Sequence, residues 1–132
     1  MITAVADTHA VLWFLYGSPL LSVRAATTMN QAGAGRQKIG VSSISLAEIV
    51  YLSEKGRIEA GAVPEVLRIM EGGEVFHEVP VSSSVVRQFH KVTRVAVPDL
   101  PDRVIAATAL FLGVPVISRD RTIQASGIPF IW

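Results

Sequence analysis

The sequence predicts an α/β domain built on a parallel β-sheet with helices packed on both faces. Three observations carry that expectation. Short aliphatic runs alternate along the chain with longer helical patterns, the arrangement that βαβ units impose on a sequence. The short runs are apolar at nearly every position instead of every second one, as strands buried on both faces require. At 132 residues, half of them apolar and 17% charged, the chain can bury one continuous core but not two. Residues 1–132 are therefore expected to form a single domain.

Local chemistry gives each element in turn. Ile2 to Ala6 is a short apolar run ending at Asp7, and Thr8 to Tyr16 carries Ala10, Val11, Leu12, Trp13, Phe14 and Leu15 before Gly17 stops it. That pattern is a buried strand followed by a buried helix. Arg24 to Ala34 reads as a helix that the Ala-Gly-Ala-Gly run loosens, and Lys38 to Val41 reads as a second strand. Ser45-x-x-Glu48 has the form of a capping box, so a helix is expected from about Leu46 to Lys55, with Gly56 ending it. Pro64 suits the start of the next helix, which Glu65 to Glu71 continues with Val66, Leu67, Ile69 and Met70. Val75 to Val81 is the third candidate strand. Over Ser82 to Arg94 the apolar residues Val85, Val86, Phe89 and Val92 share one helical face, while Arg87, Lys91 and Arg94 form a basic stripe on another. Asp102 opens a helix of Val104, Ile105, Ala106, Ala107, Ala109 and Leu110 that Gly113 ends. Val114 to Ser118 is then a strand, Asp120 leads a short helix to Ala125, and Ile128 to Trp132 is the last strand. No internal repeat, low-complexity segment or linker interrupts this order.

Composition narrows the chemistry. The chain has no cysteine, which removes disulfides, thiolate metal sites and a Cys nucleophile, and a reducing cytoplasm is the expected setting. The apolar opening segment has Asp7 and His9 in its middle and no basic start, so neither a signal peptide nor a membrane span is expected. A formal net charge of +1 is too small to hold nucleic acid by bulk charge, and any such contact needs a local patch. The high apolar fraction suggests that a partner, a second copy or a bound peptide, covers some aliphatic surface.

The informative feature is where the acids fall. Asp7 and Asp120 follow expected parallel strands, and Glu48 and Asp102 lie in first turns of helices that would pack at the same edge. The carboxyl ends of strands form the crevice of open α/β sheets, so these four can meet in one pocket. Two like charges about 4 Å apart repel by on the order of 4 kcal/mol at an effective dielectric near 20. A divalent cation, a raised carboxyl pKa or a partner's Arg must offset that. Carboxylate ligands without Cys and without a paired-His motif select hard ions, Mg2+ or Mn2+, over zinc. Taken singly, each acid also reads as a helix cap: Asp7, Asp99 and Asp120 at N-caps, Glu48 and Asp102 three positions further in. Capping and metal binding are compatible.

These residues resemble a PIN domain of the VapC toxin class. The matching pieces are A-D-T-H-A-V-L-W around Asp7, S-x-x-S-x-x-E-I from Ser42 to Ile49, D-x-P-D-R-x-I-A-A-T-A-L from Asp99 to Leu110, and S-R-D at Ser118 to Asp120. With the terminal I-P-F-I-W they span nearly the whole chain. The resemblance implies a PIN-like fold and a metal-dependent endoribonuclease that cleaves RNA, with Asp7, Glu48, Asp102 and Asp120 as metal-binding and catalytic residues. It further implies a homodimer inhibited by a small antitoxin, whose C-terminal segment lies in a hydrophobic groove. Thr8, Ser43 and Ser118 are candidates to orient the carboxylates. Asp99 either assists the site or starts the helix, and the second reading is preferred. His9 is expected to be packed or hydrogen-bonded on a mostly buried helix. The basic stripe, with Arg119 and Arg121 beside the fourth acid, could track an RNA backbone, or the stripe could be an ordinary solvated face.

A non-catalytic acidic-pocket binding module is the alternative. A phosphorylated receiver would need paired acids after the first strand and a late Lys, whereas Thr8 follows Asp7 and no Lys follows Lys91. A haloacid-dehalogenase phosphatase would need Asp where His9 stands.

Overall fold

Five parallel strands make one sheet in the order β3-β2-β1-β4-β5. They are β1 (Ile2–Ala6), β2 (Lys38–Ser42), β3 (Phe76–Val79), β4 (Val116–Ile117) and β5 (Phe130–Ile131). The helices are α1 (Thr8–Leu15), α2 (Val23–Ala34), α3 (Ser43–Glu54), α4 (Ala62–Gly72), α5 (Ser83–Val86), α6 (Leu100–Leu112) and α7 (Arg121–Ala125). This computed structural model describes residues 1–132.

The sheet's pleat divides the core in two. Along β1, Ala4 and Ala6 point into a cluster with Ala10, Met29, Ile49, Val66 and Phe76, contributed by α1 to α4 and β3. Val5 points the other way, into a cluster with Ile105, Ala109, Val116 and Ile123 from α6, β4 and α7. Helices therefore cover both faces, and Ala4, Val5 and Ala6 are fully buried between them, which is why the strand ends in successive apolar positions. Gly40 sits where a Cβ would come within 3.2–3.3 Å of Ile2, Val5 and Val79, so neighbouring side chains fill the space above β2. No helix is long and apolar enough to cross a membrane.

Strand order places the working edge. The chain moves from β1 outward to β3 and then returns to add β4 on the far side of β1, so the order reverses between β1 and β4. The crevice outside the carboxyl ends of a sheet opens at such a point. There the backbone N–H of Asp7 donates to Ile117 O at 3.0 Å, tying the end of β1 to the end of β4.

Four local expectations are corrected. The helix expected from Leu46 begins at Ser43, because Ser42 is its N-cap and accepts from Ile44 N at 3.2 Å; Ser45 is buried inside it and no capping box forms. The helix expected over Ser82 to Arg94 is only the four-residue α5 followed by a 3-10 turn, Arg87–Lys91. Arg103 explains the break: its guanidinium donates to Val92 O at 2.5 Å and Phe89 O at 3.1 Å and covers the Phe89 ring, drawing those carbonyls toward α6. Three strands are shorter than expected because prolines, which lack a ladder N–H, bound them: Pro80 after β3, Pro115 before β4 and Pro129 before β5. Helix α2 runs through Gly33 to Ala34 instead of loosening there.

Candidate active site

Asp7 follows β1 directly and is the N-cap of α1. Its Oδ1 accepts from Ala10 N at 2.8 Å and its Oδ2 accepts from Ser118 Oγ at 2.5 Å, so a carboxylate only 7% exposed has both oxygens engaged. Ser118 in turn accepts from Asp120 N at 3.0 Å. One buried hydroxyl thus joins the acid after β1 to the acid after β4. Asp120 N-caps α7, its Oδ1 accepting from Thr122 N at 2.8 Å and Ile123 N at 3.0 Å.

Glu48 projects from the second turn of α3. Its Oε1 accepts from Thr8 Oγ1, which also lies 3.0 Å from Ser45 Oγ. Asp102 stands in the first turn of α6, where its backbone N–H donates to the N-cap Asp99 at 3.2 Å. Its own half-buried carboxylate receives no hydrogen bond.

All four acids line one pocket of about 280 Å³, with Thr8, His9, Trp13 and Arg119 completing the wall. Sequence positions far apart are gathered as the strand-end argument requires. Burial, and after it the charges of Asp120, Asp99, Asp7 and Glu48, push the Asp102 carboxyl up to about 7. Burial also raises Asp7, against the hydrogen bonds from Ser118 and Ala10 that favour its ionised form. The pocket is therefore short of positive charge. Its donors are carboxylate oxygens with no sulfur, a set suited to a hard divalent cation. As the side chains stand, no three of them converge on a point that could hold an ion.

Other expected residues separate. Thr8 and Ser118 touch the acids, but Ser43 does not: its Oγ accepts from Val81 N at 3.1 Å, and Ser45 takes the place beside Thr8. Asp99 caps α6 outside the pocket wall. His9 is exposed at the pocket lip and tilted against Trp13 at 5.6 Å between ring centroids, which overturns the packed reading. It faces out because Thr8, Ala10, Val11 and Leu12 take the buried side of α1. Arg119 lines the pocket, whereas Arg121, Arg87, Lys91 and Arg94 do not. Trp13 and Ser45 were not among the candidates. The signal for Trp13 lay in the spacing His9, Trp13, Tyr16, one face of a helix at i, i+4 and i+7.

The sequence matches the PIN domain family model over residues 4–127. It is 28% identical over 134 residues to Ribonuclease VapC22 of Mycobacterium tuberculosis, covering 98% of this chain and 95% of that protein. Among solved structures, the fold is similar to a chain of VapBC2 from Rickettsia felis bound to a promoter DNA fragment, with TM-score 0.72 and 15% identity over 98% of this chain and 97% of that one. It is also similar to a chain of DNA-bound VapBC from Salmonella typhimurium, with TM-score 0.69 and 19% identity over the same shares. At those identities the structural likenesses bear on the fold.

Proposed function

Because the chain belongs to the PIN-domain family, we propose that it is a divalent-metal-dependent endoribonuclease, the toxin of a VapBC-type toxin–antitoxin pair, with residues 1–132 as its PIN domain. The observation that carries this reading is the meeting of Asp7, Glu48, Asp102 and Asp120 in one electron-rich pocket at the β1/β4 edge. A ribonuclease relative of nearly equal length supports the substrate.

The four carboxylates would hold Mg2+ or Mn2+. Such an ion, when bound, supplies Lewis-acid activation of water and offsets charge on a phosphodiester under in-line attack. The chain's own residues prepare the place. Ser118 and the Ala10 N–H fix the Asp7 carboxylate in one rotamer, Thr8 fixes Glu48, and the α7 N–H groups fix Asp120. Asp102 alone of the four has no hydrogen-bond donor on its carboxyl, which is pushed up to about 7.

The partner side of the reading rests on apolar surface. A cavity of about 190 Å³ between α3 and α4 is walled by Leu46, Ile49, Val50, Val63, Val66 and Leu67 with no polar residue. A short antitoxin segment would cover such a surface, and similar chains are found in VapBC complexes. A homodimer working in the cytoplasm completes the proposal.

Purified protein is expected to cut RNA with Mg2+ or Mn2+ and to stop when EDTA is added. Undiminished cutting in EDTA would remove the metal, and no cutting under any divalent ion would leave the acidic-pocket binding module. A short DNA-binding protein encoded just upstream, co-purifying with this chain, would support the toxin assignment.

A further inference from the structure

A pocket of four acids repels the phosphates of the strand it is proposed to cut, so the position of nearby cations decides how RNA enters. Arg119 is the only Lys or Arg on the pocket wall. It forms no ion pair with any of the four acids; the single ion pair of the structure is Arg68–Glu65 on α4. Instead its guanidinium carbon lies 5.5 Å from the centroid of the Trp13 ring. Trp13 is itself set between His9 at 5.6 Å and Trp132 at 5.8 Å. The main chain of Arg119 is equally confined, since Ser118 before it binds Asp7 and Asp120 after it caps α7.

A flexible Arg beside four carboxylates would be expected to fall onto one of them. Packing over indole, where cation–π attraction is strongest among the aromatic rings, leaves the planar fork of donors on the pocket wall and off the acids. That fork matches two phosphate oxygens, and an ammonium does not. We propose that Arg119, held on Trp13, grips the phosphodiester that is being cut, with Trp13 as its positioning residue. This rests on the ribonuclease reading and names the group of that site which meets the substrate.

The test uses a fluorescent RNA oligonucleotide with Mg2+, and the same RNA left uncut on the Asp7→Asn protein. Arg119→Ala should lower kcat/KM by about 10²-fold, the scale of losing one donor to developing charge. On the Asp7→Asn protein it should weaken RNA binding and reduce the salt slope by about 0.7, one single-strand phosphate contact. Arg119→Lys should recover less than about a tenth of the lost rate if the flat fork is what matters. Trp13→Phe, which keeps an aromatic face, should stay within about threefold of the parent, and Trp13→Ala should lose about tenfold. Arg24→Ala, an exposed position on α2 off the acidic pocket's wall, is the control for general charge, and half-saturating Mg2+ should not move in any variant.

Arg119→Ala cutting within about twofold of the parent would overturn the inference while leaving the ribonuclease reading intact. So would full recovery by Arg119→Lys, or a shifted Mg2+ requirement. Arg119→Ala that binds RNA normally but loses an acidic peptide would assign the guanidinium to a protein partner instead, and overturns it too. A parent protein that neither cuts nor binds RNA sinks the ribonuclease reading itself.

Discussion

The β1–α1 junction and the start of α6 place the same residue type at a helix N-terminus facing the same pocket, yet they treat it in opposite ways. Asp7 is 7% exposed but has donors on both oxygens, so its charge is partly met by the Ala10 N–H and the Ser118 hydroxyl. Asp102 is less buried, has no donor, and is raised to about 7 by burial and by the acids around it. Burial raises both carboxyls, and only at Asp7 do hydrogen bonds oppose it. A carboxylate supplied with hydrogen bonds can be fixed as part of the scaffold, while one left with only like charges behaves as a vacancy for a cation or a proton. On the proposed reading the two acids divide the work: Asp7 is held as the fixed member of the site and Asp102 is its responsive one.

The largest effect that can break this comparison is at Asp7. Asp7→Asn keeps the N-cap acceptor, since Asn and Asp cap about equally well, but removes the fixed negative oxygens. RNA cutting should fall by more than about 100-fold, beyond the ten- to hundredfold cost of disturbing a residue that only orients a ligand. Circular dichroism should show an unchanged fold. Cutting at the parent rate would show that the buried acid is a cap and nothing more.

Next in size is Ser118, the hydroxyl that connects Asp7 to the backbone of Asp120. Ser118→Ala removes the donor to Asp7 Oδ2 and the acceptor of Asp120 N in one step. Mg2+ affinity, read by titrating activity or thermal shift, should drop by roughly ten- to a hundredfold. An unchanged affinity would mean that the Ala10 N–H alone suffices to hold Asp7.

Much of this arrangement was legible in the sequence, for a reason visible in the residues. Asp7 and Asp120 each end an apolar strand and begin a helix, and the parallel topology then sends both to one edge without further information. Glu48 and Asp102 were legible as helix-start acids, though Glu48 works a turn deeper than a capping box would place it. What escaped was decided by tertiary contact. Ser42, Ser43 and Ser45 offer three similar hydroxyls, and only packing against Thr8 and Val81 assigns each its partner. The segment from Ser82 to Arg94 has helical periodicity, but Arg103, one residue past Asp102, claims its carbonyls from another helix. Local pattern proposes and a long-range donor overrules it.

The smallest effect is the sharpest test of the responsive member. In the metal-free protein Asp102 loses its proton near pH 7, whereas in the unfolded chain the same carboxyl ionises near 3.8. Between those values the folded state holds a proton that the unfolded state has released, so stability falls as pH rises across the window and is lowest above 7. Burial raises Asp7 in the same direction. Acidifying the metal-free protein from pH 8 toward pH 5.5 should therefore stabilise it. Counting only about 1 kcal/mol, well below the full shift because the group is partly solvated, the rise in Tm is about 4 °C for a domain of this size. Asp102→Asn carries no charge in either state, so it should melt higher than the parent at pH 8 and show a shallower pH slope. If the proposed site binds Mg2+ through the ionised Asp102 carboxylate, the variant should also gain less from added Mg2+ than the parent does. A parent and an Asp102→Asn variant with parallel Tm–pH curves would show that Asp102 has no special tension in the fold, and the contrast with Asp7 would vanish.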